Sequence, residues 1–248
     1  MGDLERQVVC DARTLCLAVS QMVADELDRH YGRRDGVRVI YNAVDVPDID
    51  AETRAHWRQE LRYRLGIGRG DTLFVTVAGN FRLKGVTETI VAFAEWVRGA
   101  RSRRDARLVI VGGDWTESYQ RFAGLRQVGG QVAFVPWTDE VFRWYSAADA
   151  CVLLSWYDPC SRVVLEAVRW GVPAVTTRYN GASEVLQDGA GVVVDSPKDR
   201  AGVVAAMDVL ADPDRRLRAI EACRAAADNL GIERHVDELL EAYGEAPK

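Results

Sequence analysis

The sequence predicts an α/β domain built on a doubly wound parallel sheet, and three observations carry the prediction. From Thr72 onward short β-branched runs alternate with helical segments. The runs are apolar at consecutive rather than alternate positions, which is the pattern of strands covered on both faces. At 248 residues the chain is long enough for one large domain, or one domain and a piece of another, with a core of ordinary size.

Taken in order, the first 50 residues hold only a helix from Leu4 to Ala12, the strand LCLAVS, a helix from Gln21 to Tyr31 and the strand VRVIYN. That is too little for a domain. The stretch from Ala43 to Ala51, with Pro47 and three aspartates, has no periodicity and reads as a linker. The main series follows: TLFVTVA, a helix from Val86 to Arg98, RLVIVG, a helix near Tyr119 to Val128, QVAFV and a helix near Glu140 to Ala147. It continues with ACVLLS, a helix ending at Gly171, PAVTT, a short helix near Ser183, and GVVVD. From Lys198 the Ala/Leu/Val spacing is helical, and after Gly231 a last helix runs from Glu233 to Tyr243. No repeat and no low-complexity segment interrupts the series.

Bulk properties narrow the function classes. A net charge of −5 argues against a protein that tracks nucleic-acid phosphates, so any nucleotide partner is a small one. The five cysteines Cys10, Cys16, Cys151, Cys160 and Cys223 form no CxxC pair and read as reduced packing residues, which fits a cytoplasmic protein. No apolar run approaches the roughly 20 residues of a membrane span, and the opening residues have no signal-peptide core. A peripheral membrane contact stays compatible with this pattern.

Glu166 is the most informative residue, because it interrupts an otherwise apolar stretch in the helix Arg162 to Val168. A carboxylate there needs a partner. Two readings stand side by side: hydrogen bonds to ribose hydroxyls, or an ion pair with Arg162 one turn earlier on a solvated stripe. Asp158 followed by Pro159 reads as an N-cap and first turn, which by itself explains both residues. The same geometry leaves the N–H groups of Cys160 and Ser161 facing the crevice at the strand ends, where a helix dipole favours a diphosphate.

The run Asp158-Pro-Cys-Ser-Arg-Val-Val-Leu-Glu166-Ala resembles the acidic-x7-Glu motif of GT-B retaining glycosyltransferases of family 4. Its variant is closest to those similar to lipopolysaccharide-core glucosyltransferases. The resemblance implies a GT-B C-terminal Rossmann-like domain in which Asp158 contacts the donor sugar and Glu166 the ribose. The first acid of the motif is usually Glu, and Ser161 stands where the family usually has glycine. A second match is Ala78-Gly79-Asn80-Phe81-Arg82-Leu83-Lys84-Gly85, which looks like the family's Arg/Lys-Gly loop. A solvated basic turn is the commoner fate of Arg-x-Lys, but beside Asp158 and Glu166 the resemblance assigns Arg82 and Lys84 to the departing β-phosphate.

By the same resemblance the catalytic group is Asp158, Arg82 and Lys84. The donor-binding set is Glu166, Cys160, Ser161, Arg162, Val163, Gly79, Asn80, Gly112 and Trp137. Gly112 belongs to Val111-Gly-Gly-Asp114, which is also a plain tight turn, and Trp137 follows Val135-Pro136, where it stacks on a base or simply packs. Tyr179-Asn180-Gly181-Ala182-Ser183-Glu184 resembles the stretch before the family's E-x-x-x-dG segment, although Asn-Gly is first a turn signal. His30, His56 and His235 lack metal-ligand spacing, and Asp48-Ile49-Asp50 follows Pro47 rather than an apolar strand, so it reads as helix capping. No metal is implied and no cofactor is expected. The nucleoside diphosphate sugar is the substrate.

The resemblance also divides the chain: 1–45 as a remnant of an N-terminal acceptor domain, 46–52 as the interdomain linker, 53–231 as the nucleotide-sugar-binding domain, and 232–248 as a C-terminal helix packing towards the N-terminal domain. Tyr41-Asn-Ala-Val-Asp45 looks like the family hinge. The expected activity is retaining transfer of a hexose from a UDP-sugar, or a GDP-sugar, to a cell-envelope glycan or glycolipid at the inner face of the membrane. The alternative is a non-catalytic nucleotide-sugar-binding module, or half of a split enzyme, that needs a partner chain. A nucleotide-sugar epimerase of similar fold would need base chemistry from outside these residues. Self-association through the leftover N-terminal elements is a further expectation.

Overall fold

A computed structural model describes residues 2–100, 103, 105–113 and 116–245. Eight strands and ten α-helices follow one another in it. Helix α1 (Gly2–Cys10), strand β1 (Cys16–Ala18), helix α2 (Gln21–Tyr31) and strand β2 (Val37–Val39) form a small unit whose two strands pair in parallel. Ser20 caps α2 by accepting from Val23 N–H, and Gly32 closes it in the left-handed conformation. Helix α3 (Ala51–Arg64) then leads into the main sheet.

The main sheet is made of β3 (Leu73–Val77), β4 (Arg107–Val111), β5 (Val132–Val135), β6 (Ala150–Leu153), β7 (Ala174–Thr177) and β8 (Gly191–Val194). All are parallel, in the order β5-β4-β3-β6-β7-β8. The chain enters at β3, works outward to β5, returns to the other side of β3 at β6 and works outward again. The crevice of such a sheet lies where the order reverses, between the carboxyl ends of β3 and β6.

Both faces of each inner strand are buried. Phe74, Leu108, Ile110, Ala150 and Val152 pack on one side with α4 (Val86–Arg98) and α8 (Arg200–Ala211). Val75, Val109, Cys151 and Leu153 pack on the other with α3, α6 (Val141–Ala147), α7 (Arg162–Arg169) and α9 (Pro213–Ala227). Alternate residues of one strand therefore serve two apolar layers, which is why the runs show no polar alternation. On the first side Phe74 meets Trp96 edge-on at 5.2 Å between centroids, a geometry worth about 0.5–1.5 kcal/mol beyond the burial itself. Helix α5 (Glu117–Leu125) covers the β4-β5 side, and a 3₁₀ turn, Gly181–Leu186, stands where the short helix near Ser183 is expected.

Three differences from the sequence expectations have physical causes. Helix α3 begins inside the expected linker and turns a mixed side inward, where Trp57 and Leu61 pack into the core beside Arg54, Arg58 and Arg62 at four-residue spacing. Their guanidinium groups donate to Trp170 O, to Ala147 O and to the Asp149 carboxylate. Its N-cap is Asp50, which accepts from Thr53 N–H at 2.8 Å. Secondly, Asp212-Pro213 divides the C-terminal helical stretch into α8 and α9, Asp212 capping the second. Thirdly, α7 starts at Arg162 with Ser161 as its N-cap, so Asp158 and Pro159 are not the cap and first turn.

Helix α10 (Ile232–Glu245) lies along the small N-terminal unit. Arg38 pairs with Glu241 at 2.7 Å, and Arg234 donates to Tyr41 O at 2.9 Å. Among the described residues, no helix is long and apolar enough to cross a membrane. Asp114 of the glycine turn lies outside the described residues.

Candidate active site

The loops leaving β3 and β6 meet at the point of strand-order reversal. Trp156 N–H donates to Leu83 O at 2.9 Å, stitching the two backbones together. Gly85 begins α4 in the left-handed conformation, at φ 64°, and a Cβ there would overlap the Leu154 carbonyl. Only glycine lets α4 start this close to the β6 loop. The result is a direct contact between residues 74 positions apart: the Lys84 ammonium donates to the Asp158 carboxylate.

Asp158 is held by its backbone. Its N–H donates to Tyr179 O at 2.8 Å and its carbonyl accepts from Gly181 N–H at 2.9 Å, a parallel bridge to the β7 loop. Asn180, fully buried, accepts from Ser161 N–H and Ala182 N–H, each at 3.1 Å, and donates to Thr176 Oγ1. The Ser161 N–H is therefore satisfied by Asn180 and does not stand free in the crevice as expected. The first turn of α7 receives no side-chain cap, which leaves its N-terminal pole open toward the crevice.

The small N-terminal unit braces the same loop. Ser20 Oγ donates to Pro159 O at 2.7 Å, and Asn42 Nδ2 donates to Cys160 O at 2.9 Å. Glu184 accepts from the N–H groups of Gln21 and Met22, both at 2.9 Å, and from the Tyr41 hydroxyl. Burial first, and then this bond to Glu184, pushes the Tyr41 phenol above its ordinary pKa. Gly181 lies so close to Pro159 O and Ser20 that a Cβ would overlap both. Burial also raises the Cys160 thiol to about 11, so it sits in the site as a packing group.

Glu166 occupies the second turn of α7, half-buried, with the Tyr145 hydroxyl 3.4 Å from Oε2. Burial pushes its carboxyl above the usual range, while the Arg162 charge and the Tyr145 bond pull the other way. Among the described residues it forms no ion pair with Arg162, which rules against that reading. Val163 is half-buried and Arg162 exposed on the same helix.

The remaining sequence-predicted residues spread along the sheet's carboxyl edge. Gly79, Asn80 and Arg82 are exposed on the β3 loop, and Arg82 lines a cavity of about 600 Å³ with Trp156. Gly112, at φ 102°, packs its backbone on Ala78 at the end of β4 and donates to Val135 O at 2.9 Å. Trp137 is largely exposed beyond edge strand β5, two strands from β3. Ser155 Oγ, fully buried just beyond the end of β6, has no hydrogen-bond partner among the described residues. Among the described residues, no three His, Cys, Asp or Glu side chains gather into a metal-binding group. Sequence reasoning missed Tyr145, the bracing role of Glu184 and the buried role of Asn180; the Asn180-Gly181 pair, three residues after the apolar run AVTT, reads from pattern only as a turn signal.

Comparison with known proteins gives a consistent result. Residues 58–226 match the family described as Glycosyl transferases group 1. The chain is 32% identical over 254 residues to the D-inositol 3-phosphate glycosyltransferase of Nocardiopsis dassonvillei, covering 96% of the chain and 57% of that protein. It is 24% identical to spore coat protein SA of Bacillus subtilis, covering 98% and 68%. Among solved structures, WaaG, a glycosyltransferase involved in lipopolysaccharide biosynthesis, superposes with a TM-score of 0.78 at 22% identity, over 91% of this chain and 61% of that one. HepE of Anabaena in complex with UDP-glucose superposes with a TM-score of 0.74 at 19% identity, over 93% and 63%. The fold is that of the GT-B glycosyltransferases, of which the chain covers the C-terminal half. It spans 53% to 60% of the length of the D-inositol 3-phosphate glycosyltransferases it matches.

Proposed function

The chain belongs to the group 1 glycosyl transferases, and from that premise we propose that it binds a nucleoside diphosphate sugar at the β3/β6 crevice for transfer, with retention, to a cell-envelope glycan or glycolipid. The observation that carries the reading is the Lys84–Asp158 contact at the reversal point of the sheet. A cation and an acid held on two braced loops, beside a helix N-terminus without a side-chain cap, fit a sugar diphosphate better than any neutral ligand. On this reading the open pole of α7, Lys84 and Arg82 neutralise the departing diphosphate without a metal. Asp158 orients the sugar, and Glu166, already hydrogen-bonded and half-desolvated, accepts from the ribose hydroxyls. UDP is the favoured nucleotide because HepE, a relative in fold, has been solved with UDP and with UDP-glucose. The work is done by positioning and by charge stabilisation, on the cytoplasmic side of the membrane in a family 4 retaining enzyme.

A second reading is favoured by one observation. Along α10, Ile232, Val236, Leu240 and Tyr243 form an exposed apolar stripe, and Leu4 and Val8 are exposed on α1. A nucleotide-sugar-binding module that acts only with a partner chain over this surface would look the same. Calorimetry separates donor binding from both alternatives. The expected result is that UDP binds more tightly than GDP or ADP, and that Glu166→Ala weakens UDP at least tenfold. If no nucleotide binds, or if Glu166→Ala binds as well as the parent, the donor site is wrongly assigned. Donor binding without turnover, until a second chain is added, favours the module.

A further inference from the structure

On the α4/α8 side of the sheet two cavities adjoin. The first, of about 600 Å³, is lined by Asn80, Arg82, Leu83, Thr87, Glu88 and Trp156. The second, of about 400 Å³, shares Thr87 and Glu88 and extends to Arg126, Lys198 and Arg200. Together they make one groove that starts beside the Lys84–Asp158 contact and crosses the first turn of α4 toward the start of α8.

Its charge is opposite to that of the chain. Arg82, Arg126, Lys198 and Arg200 are all exposed along it, and Glu88 is the one carboxylate among the described residues lining it, in a chain of net charge −5. Arg200 is paired with Glu95 at 3.4 Å, whereas among the described residues Arg82, Arg126 and Lys198 form no ion pair. Such a concentration of unneutralised cations in an acidic protein is a recognition feature, because it costs self-repulsion without a bound anion. The wall is aromatic as well as basic. Lys198 Nζ lies 5.4 Å from the Trp156 ring centroid, which holds the indole in place, and Leu83 lies in the same cavity.

An indole with hydroxyl and amide groups nearby suits a sugar ring, whose C–H face stacks while its hydroxyls bond to Asn80 and Thr87. Arginines suit carboxylate or phosphate substituents. A concave channel follows a chain, whereas a bilayer surface meets only what protrudes. We propose that this groove binds an acidic oligosaccharide, the anionic segment of the acceptor glycan, and leads its reactive end toward Asp158. This rests on the transferase reading above and adds to it the class of acceptor.

The test is calorimetry on the full chain with tetragalacturonate, beside maltotetraose, inorganic phosphate and phosphatidylglycerol vesicles, with UDP titrated in parallel. The expected result is that tetragalacturonate binds and weakens as salt rises. The double variant Arg126→Glu/Lys198→Glu should lose at least tenfold in that affinity with UDP binding unchanged, and Trp156→Ala should lose a smaller factor. The proposal is overturned if tetragalacturonate does not bind, if maltotetraose or phosphate binds as well, or if the double variant binds it like the parent. Vesicle binding that the double variant abolishes, without tetragalacturonate binding, identifies a membrane site instead and also overturns it. Loss of UDP binding alone sinks the donor reading while leaving glycan binding in the groove to be judged on its own titration.

Discussion

Asp149 immediately precedes β6 and Asp158 follows it, so the two carboxylates mark opposite ends of one buried strand. Around Asp149 every group is satisfied. Its carboxylate accepts from Leu73 N–H at 2.8 Å, from Arg58 at 2.6 Å and from Arg62 at 3.1 Å. Arg58 also donates to Ala147 O and Ala148 O, and Arg62 to Gly68 O. Around Asp158, at the other end of the strand, stand one lysine, a helix start with no side-chain cap hydrogen bond and a buried serine hydroxyl that has no partner among the described residues. A closed ionic network fastens α3 to the sheet, while an open one at the other end leaves bonding capacity for a ligand. On the proposed reading the same residue type serves stability at one end and binding at the other.

The sharpest way to break this comparison is to remove each aspartate in turn. Asp149→Ala strands Arg62 in the interior without its counter-charge, and should cost about 3–5 kcal/mol, read from urea denaturation midpoints. Asp158→Ala should cost less, about 1–3 kcal/mol, because Lys84 at 22% exposure keeps more contact with water than Arg62 at 8%. Affinity for UDP-glucose should respond in the opposite sense, falling at least tenfold in Asp158→Ala. Equal destabilisation by the two changes would mean that the carboxyl end is a structural clasp too. Acid sharpens the contrast: burial pushes Asp149 up, but the Arg58 and Arg62 charges outweigh it, so its pKa lies below the ordinary 3.8. A lowered pKa contributes stability at higher pH, which is lost as pH falls through the native value.

Next in size is the backbone that brings the two loops together. Gly85→Ala adds a left-handed non-glycine residue and an overlap with Leu154 O, and should cost about 2–4 kcal/mol. Gly171, at φ 85°, has nothing within 4 Å of an added Cβ, so Gly171→Ala should cost only about 1–2 kcal/mol of conformational strain. The difference between the two midpoints measures how tightly β3 and β6 are stitched. Matching costs would show that the Gly85–Leu154 approach relaxes freely.

How much of this was legible in the sequence follows the same division. The six-strand sheet was, because strands apolar at every position have few alternative fates. The start of helix α3 was too, since Asp48-Ile49-Asp50 reads as helix capping and Asp50 is its N-cap. The side it buries was not, because Arg54, Arg58 and Arg62 look like a solvated face until Asp149, some 90 residues later, is placed against them. Asp158-Pro159 reads locally as a helix start, yet its backbone is taken up by a bridge to Asn180 and the helix waits for Ser161. Lys84, Asp158 and Glu166 were singled out from the sequence by their motifs. That Lys84 and Asp158 touch follows only from β3 and β6 being neighbours, which short-range pattern cannot fix.

The smallest effect expected is on Glu166, and it runs against intuition. Its pKa is raised, first by burial, so the ionised form is disfavoured in the folded chain. A raised carboxylate pKa stabilises fully below the unfolded value and loses that contribution as pH rises through the folded one. At neutral pH Glu166 therefore costs stability, and Glu166→Gln, which keeps the shape and removes the charge, should stabilise the chain by about 0.5 kcal/mol after discounting for its partial exposure. As pH falls below the ordinary 4.5 the parent protonates and the two midpoints should converge. UDP affinity should drop in the same variant, because an amide accepts one fewer ribose hydroxyl bond than a carboxylate. A variant that is more stable at pH 7 and binds UDP more weakly would show that the carboxyl end of the sheet is held in a costly state for its ligand. A variant less stable at pH 7 would instead make Glu166 part of the same closed bonding found around Asp149.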